Sequence, residues 1–549
     1  MIKMRAKMPK FPKNSKARIR MQNYFSKLSF TNKLDLLSKC RFMEKDEFKD
    51  GTKALLGKKI VILGCGAQGL NQGLNLRESG LDVSFALRKE AIEQKRQSFI
   101  RASENNFNIG TFEELIPDAF LVINLTPDKE HSKVISQILP LMQKGAFIGY
   151  SHGLNIVEEN MQIPSHIGVI MVAPKGPGNE VRLEYLKDFG VPALIAVHPE
   201  NDIRSGHFSA FDIAKAWAFG LGSHKCGVLE SSFVAEVKSD LMGEQTVLCG
   251  LLQAGVVALF KKLHDEKDAI KCMQYGWDKL CDALKIGGLS LMLDRFSASD
   301  RIFITNHANK LKELLLPLFQ KHMDDILSGK FSEIMMQDWQ NGDKNLLSWR
   351  EKYSKIDFEI APKDEICTSQ NIQKNQNAAS NTIIGSTILN ANLVASGVAF
   401  VDDAINTDDA KNDVTKSDCE DDCDCYFFEH CQLQAIIIKA GVELAFEVMT
   451  KSGIDEKSAY YESLHELPLI TALIAKNRLY NMNLTISDTA EYGNYLFANK
   501  AIEILEAFFK DIKRDQHCIK NTDLLEINES IYNHKIEQIG RFLRAKMRR

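Results

Sequence analysis

Acidic residues recur every fourth position in EVKSDLMGEQT, where Glu236, Asp240 and Glu244 fall on one face of a predicted helix. Carboxylates at this spacing repel one another, so either water solvates the face or positive charge lies against it. A second pair, Glu462 and Glu466 in YYESLHELPLI, has the same spacing. Both segments are embedded in apolar sequence, which disfavours a fully solvated face. Carboxylates on facing helices suit Mg²⁺, and two such ions would neutralise acids brought together there.

A glycine-rich turn follows the first apolar run of the chain. The segment KKIVILGCGAQG contains Gly64, Gly66 and Gly69 as G-x-G-x-x-G, directly after a predicted buried strand and at the start of a predicted helix. Glycine permits the tight turn and the close backbone approach, and the helix N-terminus receives a pyrophosphate. In this strand–turn–helix context the motif predicts dinucleotide binding.

The end of the second strand selects between the two nicotinamide cofactors. An NAD site would have Asp or Glu there to hold the ribose 2′-OH. In SFALRKEAIEQKRQS the strand instead ends in Arg88, and Arg96 and Ser98 follow. Because arginine binds a phosphate bidentately, the sequence predicts NADP; the alternative is a solvated basic loop.

The elements that must position these residues differ between the two parts of the chain. From about residue 55 to 225, short apolar strands alternate with helical segments, which predicts a doubly wound parallel sheet. The predicted strands are KKIVILG, LDVSFALR, AFLVINLTP, GAFIGYSHG, IGVIMVAP and ALIAVHP. From about residue 229, long amphipathic helices dominate and strand patterns are absent.

The helical part contains an internal repeat. QAGVVALF at 253–260 matches KAGVELAF at 439–446, and the segments that follow each of them also correspond. We therefore expect two related helical units that pack together and share one site.

Composition restricts the function classes. The chain has 549 residues and a net charge of −3, which argues against general nucleic-acid binding. Its twelve cysteines lack disulfide-framework spacing, which favours a reduced compartment. No run of about twenty predominantly apolar residues predicts a membrane span. We expect a cytoplasmic enzyme, or a mitochondrial or plastid one if the basic residues 1–21 are a presequence rather than a disordered extension.

A further segment, residues 366–425, is rich first in Asn, Ser and Ala and then in acids. This composition predicts a solvated loop between the two helical units. A group of cysteines and a histidine lies at its end and just beyond it, with a spacing that fits no ordinary zinc site, so we interpret the group as incidental. The residues concerned are Cys419, Cys423, Cys425, His430 and Cys431.

Taken together, several motifs resemble those of the ketol-acid reductoisomerase family in its long form. They are GCGAQG, LTPDKEHS, GYSHG, VAPKGPG, ESSFVAEVKSDLMGEQT, YYESLHELPLI and ISDTAEYGNYLF. The resemblance covers residues 22–365 and 426–549. It implies a Rossmann domain at 22–228 followed by a duplicated, knotted, all-helical domain at 229–365 and 426–549.

The resemblance also implies an activity. Family members use two Mg²⁺ ions and NADPH to convert a 2-acetyl-2-hydroxy acid by alkyl migration, and then reduce the product to a 2,3-dihydroxy acid in valine and isoleucine biosynthesis. We accordingly expect 2-acetolactate or 2-aceto-2-hydroxybutyrate as the substrate. We expect a homo-oligomer that binds neither nucleic acid nor membrane.

Matching motif positions assign roles to individual residues. By resemblance, Asp240 bridges both metals, Glu244 joins it on one ion and Glu462 and Glu466 on the other, while Glu236 lines the site. Lys175 is expected to stabilise negative charge and His152 to position water or move a proton, although a loop histidine bonded to backbone is the alternative. Ser487 is expected to bind substrate. The expected NADP contacts are Cys65, Gly66, Ala67, Gln68, Arg88, Arg96, Ser98, Asp128, Lys129, Glu130 and Gly178.

The chain departs from the family at a few positions. Segment 366–425 replaces a short connection, Gly176 stands where many long-form relatives carry Cys, and Glu130 replaces the usual Gln. Two other hypotheses remain open at this point. One is a metal-free β-hydroxyacid dehydrogenase, and the other is a degenerate duplicate kept as an NADP-binding scaffold.

Overall fold

The computed structural model describes residues 23–263, 268–362, 427–512 and 521–547. The basic residues 1–21 and the acidic segment 366–425 lie outside the described residues, and so do Cys419, Cys423 and Cys425. The predictions made for these residues therefore stay predictions.

The N-terminal part is built on one large sheet and a small two-stranded one. The strands are β1 Arg41–Met43, β2 Lys59–Leu63, β3 Asp82–Ala86, β4 Asn108–Gly110, β5 Leu121–Asn124, β6 Phe147–Tyr150, β7 Gly168–Pro174, β8 Ala193–Val197, β9 Arg204–Ser205, β10 Phe208–Ser209 and β11 Val228–Glu230. The nine-stranded sheet has the order β1-β11-β8-β7-β6-β5-β2-β3-β4, and β9 pairs with β10. All six predicted strands are present.

The central six strands have the order expected for dinucleotide binding. From β4 to β7 every neighbouring pair is parallel, and the strand order reverses between β2 and β5. Ligands of open α/β sheets bind at such a switch point, beyond the carboxyl ends of the strands. The glycine-rich turn follows β2 and so lies at this point.

The prediction of an all-parallel sheet was wrong at one edge. Strand β8 runs antiparallel to β7, with Ile170 opposite Val197, and β1 runs antiparallel to β11. The sheet is therefore mixed, although mostly parallel. The short strands β1, β4 and β11 were not predicted, because runs of three residues carry little periodicity.

Helices cover both faces of the sheet. Along β2, Val61 and Leu63 enter one hydrophobic core while Ile60 and Ile62 enter the other. This burial on both faces explains why the strands read as continuous apolar runs. The helices of this part are Tyr24–Lys27, Phe30–Leu37, Ala67–Glu78, Lys89–Glu93, Gln97–Glu104, Phe112–Leu115, Asp128–Ile138, Leu154–Val157, Gly178–Leu186 and Ala210–Gly220.

From Phe233 onward the described residues form helices and no strands. The α-helices are Phe233–Gly243, Gly250–Leu263, Ala269–Lys271, Trp277–Asp294, Ala298–Leu327, Lys330–Gln340, Lys344–Tyr353, Asp357–Ile360, Gln432–Lys451, Glu456–Tyr460, Leu467–Asn483, Asp488–Phe509, Asn521–Asn533 and Lys535–Met547. Three wider, π-helical turns interrupt them at Glu244–Leu248, Cys272–Gly276 and Tyr461–His465.

One described stretch, Phe233–Leu263, is long and apolar enough to cross a membrane by length and composition. However, 83% of its most apolar window is buried inside the protein. A core helix of a soluble protein passes the same test, so this stretch is weak evidence for a membrane span.

The two segments predicted to be repeats show the same succession of elements. In each, a π-helical turn leads into a helix that breaks at a residue with positive φ, Gly288 at 74° and Arg478 at 60°. Each then reaches a serine, Ser297 or Ser487, whose Oγ caps a long helix. The predicted knot stays a prediction.

Each broken helix is completed by a glutamate from the other segment. Glu537 accepts the Leu289 N–H at 2.7 Å, just after the break at Gly288. Glu359 accepts the Leu479 N–H at 2.8 Å, just after the break at Arg478. The guanidinium of Arg478 also donates to backbone carbonyls around Glu359, including that of Phe358 at 2.8 Å. The two segments therefore satisfy each other's free helix N-termini.

Candidate active site

The glycine-rich turn has the geometry that its sequence predicts. Gly64 has φ of 87°, a conformation that other residues rarely adopt. A Cβ on Gly69 would collide with the carbonyl oxygen of Gly64. Gly66 caps the helix Ala67–Glu78 without a side-chain hydrogen bond, and the Cys65 side chain is buried. The free N–H groups of the first helical turn are thus available for a phosphate.

A second turn, Gly176–Gly178, packs directly on the glycine-rich turn. Gln68 Nε2 donates to the Gly176 carbonyl at 3.1 Å. A Cβ on Gly178 would lie 2.5 Å from the carbonyl carbon of Ala67, so only glycine fits. The predicted cofactor residues Ala67, Gln68 and Gly178 are therefore brought together.

The predicted 2′-phosphate residues lie at the starts of two short helices. Arg88 and Arg96 occupy the N-cap positions of Lys89–Glu93 and Gln97–Glu104, and Ser98 is half-buried in the second of these. Arg96 Nε donates to Gln94 Oε1 at 3.0 Å. Arg88 Nη2 forms an ion pair with Glu130 Oε2 at 3.1 Å, so Glu130 already engages one predicted phosphate ligand.

The acidic helix Phe233–Gly243 carries Glu236 and Asp240, and Glu244 begins the π-helical turn that follows. Glu462 lies on the π-helical turn Tyr461–His465, and Glu466 ends it. Such turns are rare and frequently mark functional sites. A Cβ on Gly243 would lie 2.8 Å from Glu462 Cβ and would collide with the Glu462 carbonyl oxygen. Gly243 thus allows the two acidic segments to meet.

A lysine lies at the centre of the carboxylates. Lys175 Nζ is 2.6 Å from Glu462 Oε1, 3.2 Å from Asp240 Oδ1 and 3.6 Å from Glu236 Oε1. Lys175 directly follows β7, and its three carboxylate partners all belong to the helical part. Its ammonium group is buried, and paired buried charges are costly unless they are well compensated.

Burial shifts the proton equilibria of this cluster. Burial raises the pKa of Glu236 to about 7, although nearby His152 and Lys175 lower it. It raises the pKa of Glu462 to about 8 against the lowering effect of Lys175. Glu244 and Glu466 have pKa values well above the ordinary range for the same reason, reinforced by neighbouring carboxylates. Burial alone would lower the Lys175 pKa, but the surrounding carboxylates, Glu462 foremost, raise it well above 10.5.

These residues fit the Mg²⁺ ions that the resemblance implies. Glu236 Oε2, Glu462 Oε2 and Glu466 Oε1 are buried and have no hydrogen-bond donor among the described residues. Potential ligand atoms of His152, Glu236 and Asp240 all lie within 4.8 Å of one another. A hard divalent cation takes such oxygens and displaces their protons. The carboxylates that the resemblance predicts as its ligands, those of Asp240, Glu244, Glu462 and Glu466, belong to this cluster, and their role as ligands stays a prediction.

His152 lies beside this cluster, and its ring is held in place by Asp128. Its Nδ1 lies 3.2 Å from Asp128 Oδ2, and its Nε2 lies 3.6 Å from Asp240 Oδ2. Asp128 also accepts from Thr489 Oγ1 at 2.8 Å. Burial alone would raise the pKa of Asp128, but His152 holds it below its ordinary value. The alternative reading of His152 as a histidine bonded only to backbone does not describe these contacts.

In the turn Asp128–Glu130, expected to contact NADP, each of the three side chains has its own partners. Asp128 binds His152 and Thr489, and Glu130 pairs with Arg88. Lys129 Nζ lies 2.7 Å from Asp488 Oδ2 and 3.1 Å from Asp343 Oδ2, both in the helical part. The turn therefore connects the sheet to the helical part.

One cavity joins the cofactor turn to the acidic cluster. It encloses about 350 Å³, and Ser487 lies on its wall. Ser487 Oγ caps the helix Asp488–Phe509 by accepting the Ala490 N–H at 3.0 Å. The other predicted residues on the wall are Ala67, Gln68, Asp128, His152, Lys175, Gly178, Glu236, Asp240, Glu244 and Glu466.

Two residues of this site were missed from the sequence alone. Thr489 contacts Asp128 across 361 positions, and no local pattern marks such a pair. Gly243 could have been noticed as a glycine inside an acidic helical motif, where it costs helix stability and so suggests a close backbone approach.

Comparison with known proteins identifies related chains over nearly the whole sequence. Residues 54–227 match the family model "Acetohydroxy acid isomeroreductase, NADPH-binding domain". Residues 233–364 and 426–549 match "Ketol-acid reductoisomerase, C-terminal domain". Ketol-acid reductoisomerase (NADP(+)) of Histophilus somni (strain 129Pt) is 52% identical over 539 residues, covering 96% of this chain and 98% of the relative. The Pasteurella multocida (strain Pm70) protein of the same name is 51% identical with the same coverage.

A solved structure shares the fold. It is that of an NADH-preferring ketol-acid reductoisomerase from an uncultured archean, with a TM-score of 0.53 and 27% identity. The match covers 58% of this chain and 96% of that one, so this chain is much the longer.

Proposed function

The chain belongs to the ketol-acid reductoisomerase family, and we propose that it converts 2-acetolactate or 2-aceto-2-hydroxybutyrate into the 2,3-dihydroxy acid with NADPH. One observation carries the proposal. Two acidic segments, Glu236 to Glu244 and Glu462 to Glu466, meet in a cavity that also reaches the glycine-rich turn. A metal-dependent rearrangement and a hydride transfer require their two sites to adjoin in this way.

The carboxylates of Asp240, Glu244, Glu462 and Glu466 would hold two Mg²⁺ ions. When bound, these ions supply Lewis acidity at the substrate's ketone and hydroxyl oxygens, and NADPH supplies the hydride. The protein presents these carboxylates from two helices whose backbones touch at Gly243, so the donors are fixed before substrate arrives.

Three further residues act on charge and protons. Lys175 presents a buried ammonium group that stabilises negative charge developing on substrate oxygens. Glu236 faces the same cavity with one unpartnered carboxylate oxygen, suited to a substrate hydroxyl. His152 lines the cavity and would position water or move a proton. Ser487 also lines the cavity and would donate to the substrate.

NADPH would lie across the glycine-rich turn. Cys65 to Gln68 and Gly178 would surround the pyrophosphate, and Arg88, Arg96 and Ser98 would bind the 2′-phosphate. The first turn of the helix Asp128–Ile138 would contribute backbone N–H groups at the other side.

The organisation around the site completes the proposal. We assign residues 22–228 to the cofactor domain, and 229–365 with 426–549 to a duplicated, knotted helical domain. We expect a cytoplasmic homo-oligomer that binds neither nucleic acid nor membrane. The Histophilus somni and Pasteurella multocida relatives are bacterial proteins, which supports the expectation of a cytoplasmic biosynthetic enzyme.

The decisive experiment follows NADPH absorbance with 2-acetolactate, with and without Mg²⁺. We expect oxidation that requires Mg²⁺ in the wild type and is absent in Asp240→Asn, while the Kd for NADPH stays unchanged. Asp188→Asn, which alters an exposed carboxylate paired with Lys225, is the matched control and should retain full activity. Near-full activity of Asp240→Asn would refute the assignment.

A second substrate separates the two half-reactions. 3-Hydroxy-2-ketoisovalerate needs reduction but no migration. Magnesium-independent reduction of this compound, with no turnover of 2-acetolactate, would favour a metal-free hydroxyacid dehydrogenase instead.

A further inference from the structure

We infer that Asp128 and Thr489 are positioning residues that fix the orientation of His152 for the reaction proposed above. The inference rests on that proposed function. Asp128 Oδ2 is shared between His152 Nδ1 at 3.2 Å and Thr489 Oγ1 at 2.8 Å. The resemblance assigned Asp128 to the cofactor, whereas its carboxylate is directed at His152.

The chemistry of the donors fixes how His152 is oriented. An ionised carboxylate only accepts hydrogen bonds, and Thr489 uses its single hydroxyl proton on the same carboxylate. His152 must therefore donate from Nδ1 to make its bond. With Nδ1 held in this way, the ring places Nε2 3.6 Å from Asp240 Oδ2, so the contact at Asp128 sets where Nε2 lies in the acidic cluster.

The backbone of Asp128 remains free for the cofactor. Asp128 is the first residue of the helix Asp128–Ile138, and no side chain caps that helix. The N–H groups of its first turn can thus bind a phosphate while the carboxylate binds His152. Asp128 can therefore contact NADP through its backbone, as the resemblance implies, while its side chain binds His152.

Thr489 links the Asp128–His152 pair to the helix whose start carries Ser487. Thr489 is the second residue of the helix Asp488–Phe509, next to Asp488 and two positions after Ser487, the proposed substrate residue. Asp488 holds Lys129 at 2.7 Å, so two consecutive pairs join this helix start to the turn at Asp128. The orientation of His152 is consequently tied to the element that presents Ser487.

The test compares four variants with the wild type. Asp128→Asn keeps the shape but replaces the ionised acceptor of His152 Nδ1 with a neutral amide, which weakens the hydrogen bond. Thr489→Val removes the second hydrogen bond, and Thr489→Ser restores it. The control Thr450→Val removes a threonine whose hydroxyl donates to the Phe446 carbonyl at 2.9 Å, in another helix.

Kinetics separate positioning from cofactor binding. We expect kcat with 2-acetolactate to fall by about 10- to 100-fold in Asp128→Asn, as for other partners that orient a functional histidine. We expect a smaller fall in Thr489→Val, near wild-type kcat in Thr489→Ser, and no change in Thr450→Val. The Kd for NADPH should stay within about twofold throughout. Unchanged kcat, or a loss explained entirely by weaker NADPH binding, would overturn the inference.

A spectroscopic readout works on the resting enzyme and does not depend on turnover. With ¹⁵N-labelled histidine, we expect the His152 Nδ1–H signal to shift in Asp128→Asn and in Thr489→Val, to return in Thr489→Ser and to stay unchanged in Thr450→Val. His152→Gln identifies the signals among the 13 histidines. An unchanged Nδ1–H signal in Asp128→Asn would overturn the inference. If the wild type fails to convert 2-acetolactate while this signal shifts, the proposed function fails and the positioning contact stands.

Discussion

Gly243 offers a direct test of how the two acidic segments are joined. In Gly243→Ala, the added Cβ would lie 2.8 Å from Glu462 Cβ, which is 0.6 Å short of the 3.4 Å at which ordinary contacts begin. The Glu462 carbonyl oxygen is closer still and, being backbone, cannot rotate away. The π-helical turns at Glu244 and Glu462 must therefore separate by at least about 0.6 Å.

This separation exceeds what a metal site tolerates. Metal–ligand distances hold to within about 0.2 Å, so carboxylates on the two turns cannot both keep their places. A misplacement of about 1 Å costs on the order of 100-fold in rate. Overpacking itself costs about 1–3 kcal/mol of stability, which a protein of this size survives. We expect Gly243→Ala to fold, to bind NADPH normally and to need at least 10-fold more Mg²⁺ for half-maximal activity.

The assay is NADPH oxidation with 2-acetolactate across a magnesium titration. The control is Gly441→Ala in the helix Gln432–Lys451, where the added Cβ meets the Leu251 side chain, which can move. The control should lose stability without changing its magnesium requirement. An unchanged magnesium requirement in Gly243→Ala, with activity retained, would refute the reasoning.

Two further changes test other contacts. In Glu130→Gln, Arg88 loses its carboxylate partner at 3.1 Å and is free to bind the 2′-phosphate. The Kd for NADPH should therefore fall severalfold, while the Kd for NADH should not change. Equal changes for both cofactors would argue against this role of Glu130. Burial raises the pKa of Glu447, but hydrogen bonds from His534 and Lys312 outweigh this and lower it from 4.5 to about 2. The ionised Glu447 carboxylate therefore stabilises the folded protein fully above pH 4.5, and this contribution is lost as the pH falls towards 2. Glu447→Gln should accordingly lose less unfolding free energy than the wild type when urea unfolding is compared at pH 5 and pH 3, and parallel losses would contradict this.

Local sequence patterns predicted the sheet and the cofactor turn well, for a physical reason. A strand that is buried on both faces has a continuous apolar sequence, and a backbone position in the left-handed region is usually occupied by glycine. Strand β2 and the turn at Gly64 can therefore be predicted from their own residues, without knowledge of what packs against them. The direction of β8 could not be predicted, because an apolar sequence does not indicate whether a strand pairs parallel or antiparallel with its neighbour. The mixed edge of the sheet therefore had to come from the structure.

The candidate site divides in the same way. The four-residue spacing identified Glu236, Asp240 and Glu244, because side chains at that spacing share a helix face. Spacing did not predict that the helix widens after Gly243. Nor did it predict that Asp128 holds His152, because its second partner, Thr489, lies 361 positions away. Contacts between distant residues depend on the whole fold, and one sequence alone does not display them.

The exchange of capping glutamates has a consequence for how the chain reaches this structure. Glu537 completes a helix that begins again at Leu289, 248 positions earlier, and Glu359 does the same for Leu479, 120 positions later. Neither helical unit can satisfy the N–H groups at its own helix break until the other unit has packed against it. Buried N–H groups without an acceptor are costly in free energy. The helical part should therefore fold slowly and unfold as one cooperative body, as expected for distant contacts. A chain that ends before Glu537 would lose order around Gly288 as well as at its own end.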